Sequence, residues 1–151
     1  QLIKGGDTVP VKQITVFLEN KCGRLANVAK VIGDEGINIR AFSVADTTDF
    51  GILRLIVNDP DHTYEVLRRE QFTVRLTEVI AVQIPDHPGG LAEVLALMQE
   101  AGINIEYLYA FVAKVSGDAL AVFRVENSLV AEQLMLGKGI KVLSGEDVYN
   151  L

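Results

Sequence analysis

A chain of 151 residues with 49% apolar and 23% charged residues has the composition of a globular protein of one or two small domains. Its formal net charge of -6 argues against a nucleic-acid partner, because phosphate neutralisation needs clustered Lys and Arg and no segment supplies them. The single cysteine, Cys22, excludes an intrachain disulfide and any CxxC site, and no apolar run approaches the roughly 20 residues of a membrane span, so a cytoplasmic location is expected.

In chain order, residues 1–12 read as a flexible lead-in, with Lys4-Gly5-Gly6-Asp7 ahead of Pro10. A strand is predicted over 14–18, where Ile14, Val16 and Leu18 form one apolar face. The next segment is helical: Leu25, Val28, Ala29 and Ile32 recur at i, i+3, i+4 and i+7, a stripe that can lie across the strand face, while Arg24, Asn27, Lys30 and Asp34 point elsewhere. Gly36 closes that helix, and Ile37-Asn38-Ile39 enters a second strand running through Phe42 and Val44. A turn at 46–49 leads to a third strand over 52–57. Asp59-Pro60 supplies a cap and a first-turn proline for a helix carrying Tyr64, Val66, Leu67 and Phe72, and a strand near 73–78 completes the unit.

The series then repeats. A strand at 80–84 (Ile80, Val82, Ile84 on one face) precedes a helix carrying Leu91, Val94, Leu95 and Met98, closed by Gly102. A strand through Leu108 and Ala110, a turn at 116–118, a strand over 120–125, a helix beginning at Ser128 with Val130, Ala131, Leu134 and Met135, and a last strand follow. Residues 19–39 laid over 85–105, at a constant shift of 66, give eight identities in 21: Gly23/Gly89, Leu25/Leu91, Ala26/Ala92, Val28/Val94 and the four residues of Gly-Ile-Asn-Ile. Chance gives roughly one or two, so the chain is a duplication. The predicted fold is α+β: two tandem ferredoxin-like βαββαβ modules over 13–78 and 79–151, each an antiparallel sheet with its helices on one face and the other face open. On that open face alternation puts Tyr107, Tyr109 and Phe111, against Ala41, Ser43 and Ala45 in the first copy. The aromatic row is expected to be covered by another module or subunit, and the chain to form a homo-oligomer, a dimer.

Polar residues gather between the first strand and first helix of each copy, as Asn20-Lys21-Cys22-Gly23-Arg24-Leu25 and as Asp86-His87-Pro88-Gly89-Gly90-Leu91. Glycine permits close approach of the backbone, and the unpaired N–H groups of a helix's first turn favour a carboxylate. Asn20 or Asp86, with Asn38 or Asn104 at the start of the second strand beside Ile39 or Ile105, offers an acceptor for an ammonium group. The alternative reading is structural, with the glycines only making the turn, Asp86 capping the helix and the asparagines satisfying local backbone. Cys22 has no basic partner fit to make it a nucleophile, and His62 and His87 lack metal-ligand spacing, so no catalytic residue, metal or cofactor is expected.

A strand, an N/D-x-x-G-x-L turn, an amphipathic helix and then Gly-Ile-Asn-Ile, met twice in register, resembles the ACT domain. The resemblance implies regulation by a small ligand, an amino acid, held between paired modules by the first turn of one and the start of the second strand of its neighbour. Asn20 and Asn38 match positions that hold the ligand in serine-sensing members, Asn104 matches the second of these, and Asp86 replaces the first. Leu18 and Ile84 stand where those members have a histidine, which argues against serine, and Cys22 stands where the family has the proline kept here as Pro88. The expected function is a free-standing amino-acid sensor. Two further readings are a regulatory subunit of a partner enzyme, similar to the small subunit of acetolactate synthase, and a structural pairing module.

Overall fold

The computed structural model describes residues 9–47, 50–112, 114 and 116–151. Residues 1–8 of the expected lead-in and residues 48 and 49 of the turn expected at 46–49 lie outside them, as do residues 113 and 115. The elements are β1 (Val11–Glu19), α1 (Arg24–Asp34), β2 (Ile39–Asp46), β3 (Phe50–Val57), α2 (Pro60–Arg69), β4 (Thr73–Ile84), α3 (Gly90–Glu100), β5 (Ile105–Ala110), β6 (Ala119–Val125), α4 (Ser128–Gly137), β7 (Val142–Leu143) and α5 (Gly145–Tyr149). β1 opens at Val11, inside the stretch read as lead-in, and the short α5 follows the last strand.

Contacts divide the chain into two units, Lys12–Thr77 with Tyr149–Leu151, and Glu78–Val148 with the stretch ending at Val11. β4 supplies its first part to one and its second part to the other. Each unit repeats one strand order: β4-β1-β3-β2 in the first and β7-β4-β6-β5 in the second, the antiparallel ferredoxin-like arrangement that two βαββαβ patterns predict. Even the irregularity is duplicated, for β2 is shifted between Ile39 and Ala41, and β5 between Ile105 and Tyr107.

Alternation builds the cores. In the first unit Ile14, Val16 and Leu18 of β1 and Leu53 and Leu55 of β3 meet Val28 and Ile32 of α1 and Leu67 of α2. In the second, Ile80, Val82 and Ile84 of β4 and Phe123 and Val125 of β6 meet Val94, Met98, Ala131 and Met135 of α3 and α4. The helix ends follow local chemistry. Asp59 caps α2 by accepting from His62 N–H (3.2 Å), and Asn127, one residue before Ser128, caps α4 through Val130 N–H (3.2 Å). Gly36 and Gly102 take φ of 72° and 70°, which lets Ile37 N–H reach Ile32 O (3.2 Å) and Ile103 N–H reach Met98 O (2.9 Å).

On the helix-free sides Gln13, Ala41 and Ile56 in the first unit, and Ala81, Val122, Tyr109 and Phe111 in the second, are buried. Apolar side chains such as Ile56 and Val122 favour burial on that side as strongly as on the helix side. The α1 stripe, conversely, is only half covered. Val28 and Ile32 are buried, but Leu25 is 46% exposed and Ala29 is exposed, because α1 overhangs the edge strand β2, where Phe42 and Val44 are 56% and 55% exposed. Together they line an apolar groove of about 240 Å³.

The C-terminal end is tied into the first unit. The half-buried Tyr149 hydroxyl accepts Lys12 N–H (2.9 Å), Tyr149 O accepts from Arg40 Nη2 (3.0 Å), and partial burial raises the phenol pKa. In the second unit, Ser144 and Asp147 cap α5 reciprocally (3.1 and 3.2 Å), and Gly145 N–H donates to Val9 O (2.7 Å).

The difference between core and groove is measurable by urea unfolding. Leu67→Ala, in the core, is expected to cost about 2–5 kcal/mol, whereas Leu25→Ala is expected to cost less than about 1 kcal/mol because nearly half of its surface is already in water.

Candidate ligand-binding site

The first unit brings the β1–α1 turn against the end of β2. β3 is antiparallel to both β1 and β2, so the C-terminal ends of those two strands lie at one edge of the sheet. One rung reads Leu18, Gly51, Asp46. A pocket of about 260 Å³ opens there. Its apolar wall is Leu18, Leu25, Val44 and Ala45; its polar rim is Glu19, Asn20, Lys21 and Arg24 on the turn and Asp46 on the strand. Gly51 lies among them, in the middle of the rung, and leaves space where any other residue would set a side chain.

The rim is electrostatically divided. Lys21 pairs with Glu19 (2.9 Å), and that hydrogen bond and charge, with Arg24 behind them, hold the Glu19 carboxyl below its ordinary pKa. Gly23 starts α1 at φ 88° and offers no side-chain cap, so the first-turn N–H groups have none from that residue. The Arg24 guanidinium lies 4.9 Å from the centre of the Phe72 ring, and its Nε is buried without a hydrogen-bond partner among the described residues. Asn20, Lys21, Arg24 and Leu25 are thus brought together, with Cys22 exposed on the same turn.

The start of β2 is not part of this pocket. Asn38 donates its N–H to Asn58 Oδ1 (2.9 Å) and accepts Asn58 N–H (3.1 Å), a backbone clamp, while Ile39 lines the apolar groove. Val44, Ala45 and Asp46 were missed by sequence reasoning, although the parallel relation of β1 and β2 that the predicted topology entails would have pointed to them.

The family model for the ACT domain pair matches residues 9–151. The chain belongs to that family. Among solved structures, protein BT0572 from Bacteroides thetaiotaomicron is 39% identical, covering 95% of this chain and 99% of that one, with a TM-score of 0.88. The regulatory subunits of aspartate kinase from Thermus thermophilus and Thermus flavus share the fold at 15% and 16% identity, with TM-scores of 0.61 and 0.60, each covering 85% of this chain and 92% of its own. No curated protein matches the sequence. No helix among the described residues is long and apolar enough to cross a membrane.

The turn of the second ACT module is arranged differently. Asp86 does not cap α3, whose N-cap is Gly89 at φ 88° without a side-chain bond. Its carboxylate instead pairs with Lys114, and its N–H donates to Asp118 Oδ1 (3.3 Å). Asp118 also accepts from Gln83 Nε2 (3.0 Å), and these two bonds, that of Gln83 first, hold its carboxyl below the usual value. His87 N–H bonds Pro85 O (3.0 Å), its ring Nδ1 lies 3.0 Å from Pro88 O, and Gly90 N–H bonds His87 O (3.0 Å). Asn104 O accepts Glu126 N–H (3.4 Å), the counterpart of the Asn38 clamp, and Ile105 packs at the core margin. Of the aromatic row, Tyr109 and Phe111 are 8% and 9% exposed, Tyr107 is half-buried, and Tyr107 stacks on Tyr109 with ring centres 6.5 Å apart.

Gly90 is the tightest point. A Cβ there would stand 2.0 Å from Pro85 O. Gly90→Ala is therefore expected to destabilise the protein by about 1–3 kcal/mol or more through overpacking, whereas Gly23→Ala, with open space around it, carries only the left-handed backbone cost of about 1–2 kcal/mol. Thermal unfolding of the two variants checks the order.

Proposed function

We propose that this chain is a regulatory protein, not an enzyme, whose first ACT module binds an amino acid in the pocket between the α1 N-terminus and the end of β2. One observation carries the reading: the pocket is lined both by Arg24 at the start of α1, whose N-cap Gly23 makes no side-chain bond, and by the acidic Asp46 at the end of β2. The α-carboxylate of an amino acid would take the α1 N–H groups and the Arg24 guanidinium, its ammonium would take Asp46, and its side chain would lie on Leu18, Leu25 and Val44. The ligand would act by favouring the conformer that binds it more tightly, by no more than that difference in affinity.

The apolar groove between α1 and β2 supports homodimerisation. β2 is the edge strand of the sheet, its exposed Phe42 and Val44 line the groove with Leu25, and Arg40 and Asp46 lie towards its opposite ends. Two copies meeting antiparallel along this edge bury the apolar side chains and oppose unlike charges. A second reading, a regulatory partner of an enzyme in the cytoplasm, has its support in the family and in the names of the two aspartate kinase regulatory subunits that share the fold. Co-purification with an enzyme, against isolation as a homodimer, separates the two.

The test is a thermal-shift screen of the twenty amino acids, in which a ligand of the folded state raises the melting temperature. A hit is expected. Asp46→Asn is expected to weaken it about 10- to 100-fold, the worth of a charge-assisted hydrogen bond, with little change in the melting temperature of the free protein. Gly51→Ala, whose Cβ would meet nothing nearer than 3.8 Å, is expected to weaken binding by filling the pocket while preserving the fold. No shift with any amino acid at millimolar concentration ends the proposal.

A further inference from the structure

The two modules descend from one unit, yet their turns differ in a way that bears on how many ligands the chain takes. Position 90 corresponds to position 24. In the first module that position holds a whole arginine side chain at the rim of an open pocket. In the second a single Cβ has no room, because the first residue of α3 is seated on the Pro85 carbonyl and buried. Ligand atoms cannot enter between the end of β4 and the first turn of α3 where a methyl group does not fit.

The polar groups of the second turn are also engaged. The backbone bonds His87 N–H to Pro85 O and Gly90 N–H to His87 O repeat those of Lys21 N–H to Glu19 O and Arg24 N–H to Lys21 O in the first turn, and the second turn adds the bond that holds Asp86 N–H on Asp118. The Asp86 carboxylate, the acceptor that the sequence offers for an ammonium group, already faces the ammonium of Lys114. An exposed ion pair of this kind is weak. It adds to the closure made by the Pro85–Gly90 contact and does not create it.

We infer that the chain binds one amino acid, in the first module only, and that the second turn is closed by its own residues, with the Asp86 carboxylate already paired with Lys114. This rests on the amino-acid reading of the first pocket. The second module then contributes structure: its turn braces α3 against β4, and any signal originates at Asn20–Leu25.

Amide NMR of the full chain, titrated with each of the twenty amino acids at about 10 mM, a large excess over a millimolar dissociation constant, tests this together with calorimetric stoichiometry. The expected result is one ligand per chain, with shifts at the amides of 20–25 and 44–46 and none at 86–91. Two ligands per chain, or shifts at 86–91, would overturn it. If no amino acid binds, the amino-acid reading falls by itself, and the closed turn is still judged by hydrogen exchange. Asp118→Ala, which removes the acceptor of the Asp86 amide, is expected to speed exchange of that amide roughly tenfold or more relative to wild type. An unchanged rate would mean that the turn is not held shut by these contacts, and would sink the inference without reference to any ligand.

Discussion

The pocket depends on one constraint of register. β3 is antiparallel to both of its neighbours, so β1 and β2 finish at the same edge, and the rung Leu18–Gly51–Asp46 sets the acidic end of β2 beside the turn that leads into α1. Core alternation maintains that register, because a slip of one residue would turn Leu53 and Leu55 out of the core and expose Arg54 to it. Burial of Ile14, Val16 and Leu18 therefore does more than hold the first module together. It fixes which side chains face one another across the pocket, and Gly51 keeps the centre of the rung clear.

The second module obeys the same constraint with a different outcome. Ile84 faces Ala119, and Val82 faces Ala121, in the rungs that correspond to Leu18–Gly51 and Val16–Leu53. What differs is the turn. Pro85 and Gly90 bring backbone against backbone, and Asp118 reaches across to Asp86 and Gln83. Duplication preserved the scaffold, down to the irregularity in β2 and β5, while the two turns diverged in chemistry. The two turns differ by little on such a scaffold: an arginine in place of a glycine at the helix start, and space in place of a backbone contact.

Much of this was legible in the sequence. The repeat at a shift of 66, the caps at Asp59, Gly36 and Gly102, and the alternating strands are local signals, each set by backbone chemistry within a few residues, and the family resemblance rests on them. The parts that escaped depend on distance. Asp46 joins the site through pairing of three strands, so no spacing in the chain announces it. The period of α1 shows that Leu25 lies on the apolar face but not that the sheet beneath ends too soon to cover it. Gly89 and Gly90 look alike in sequence, yet one has open space around it and the other is pressed on Pro85.

The central claim is that the ligand's charged ends lie between the first turn of α1 and Asp46. A crystal structure of the chain with the strongest thermal-shift hit tests it most directly. The account predicts density for one ligand per chain, its carboxylate at the N–H groups of 25 and 26 and the Arg24 guanidinium, and its ammonium within hydrogen-bonding distance of the Asp46 carboxylate. Density at the 86–91 turn, or a ligand whose ammonium makes no contact with Asp46, would contradict it.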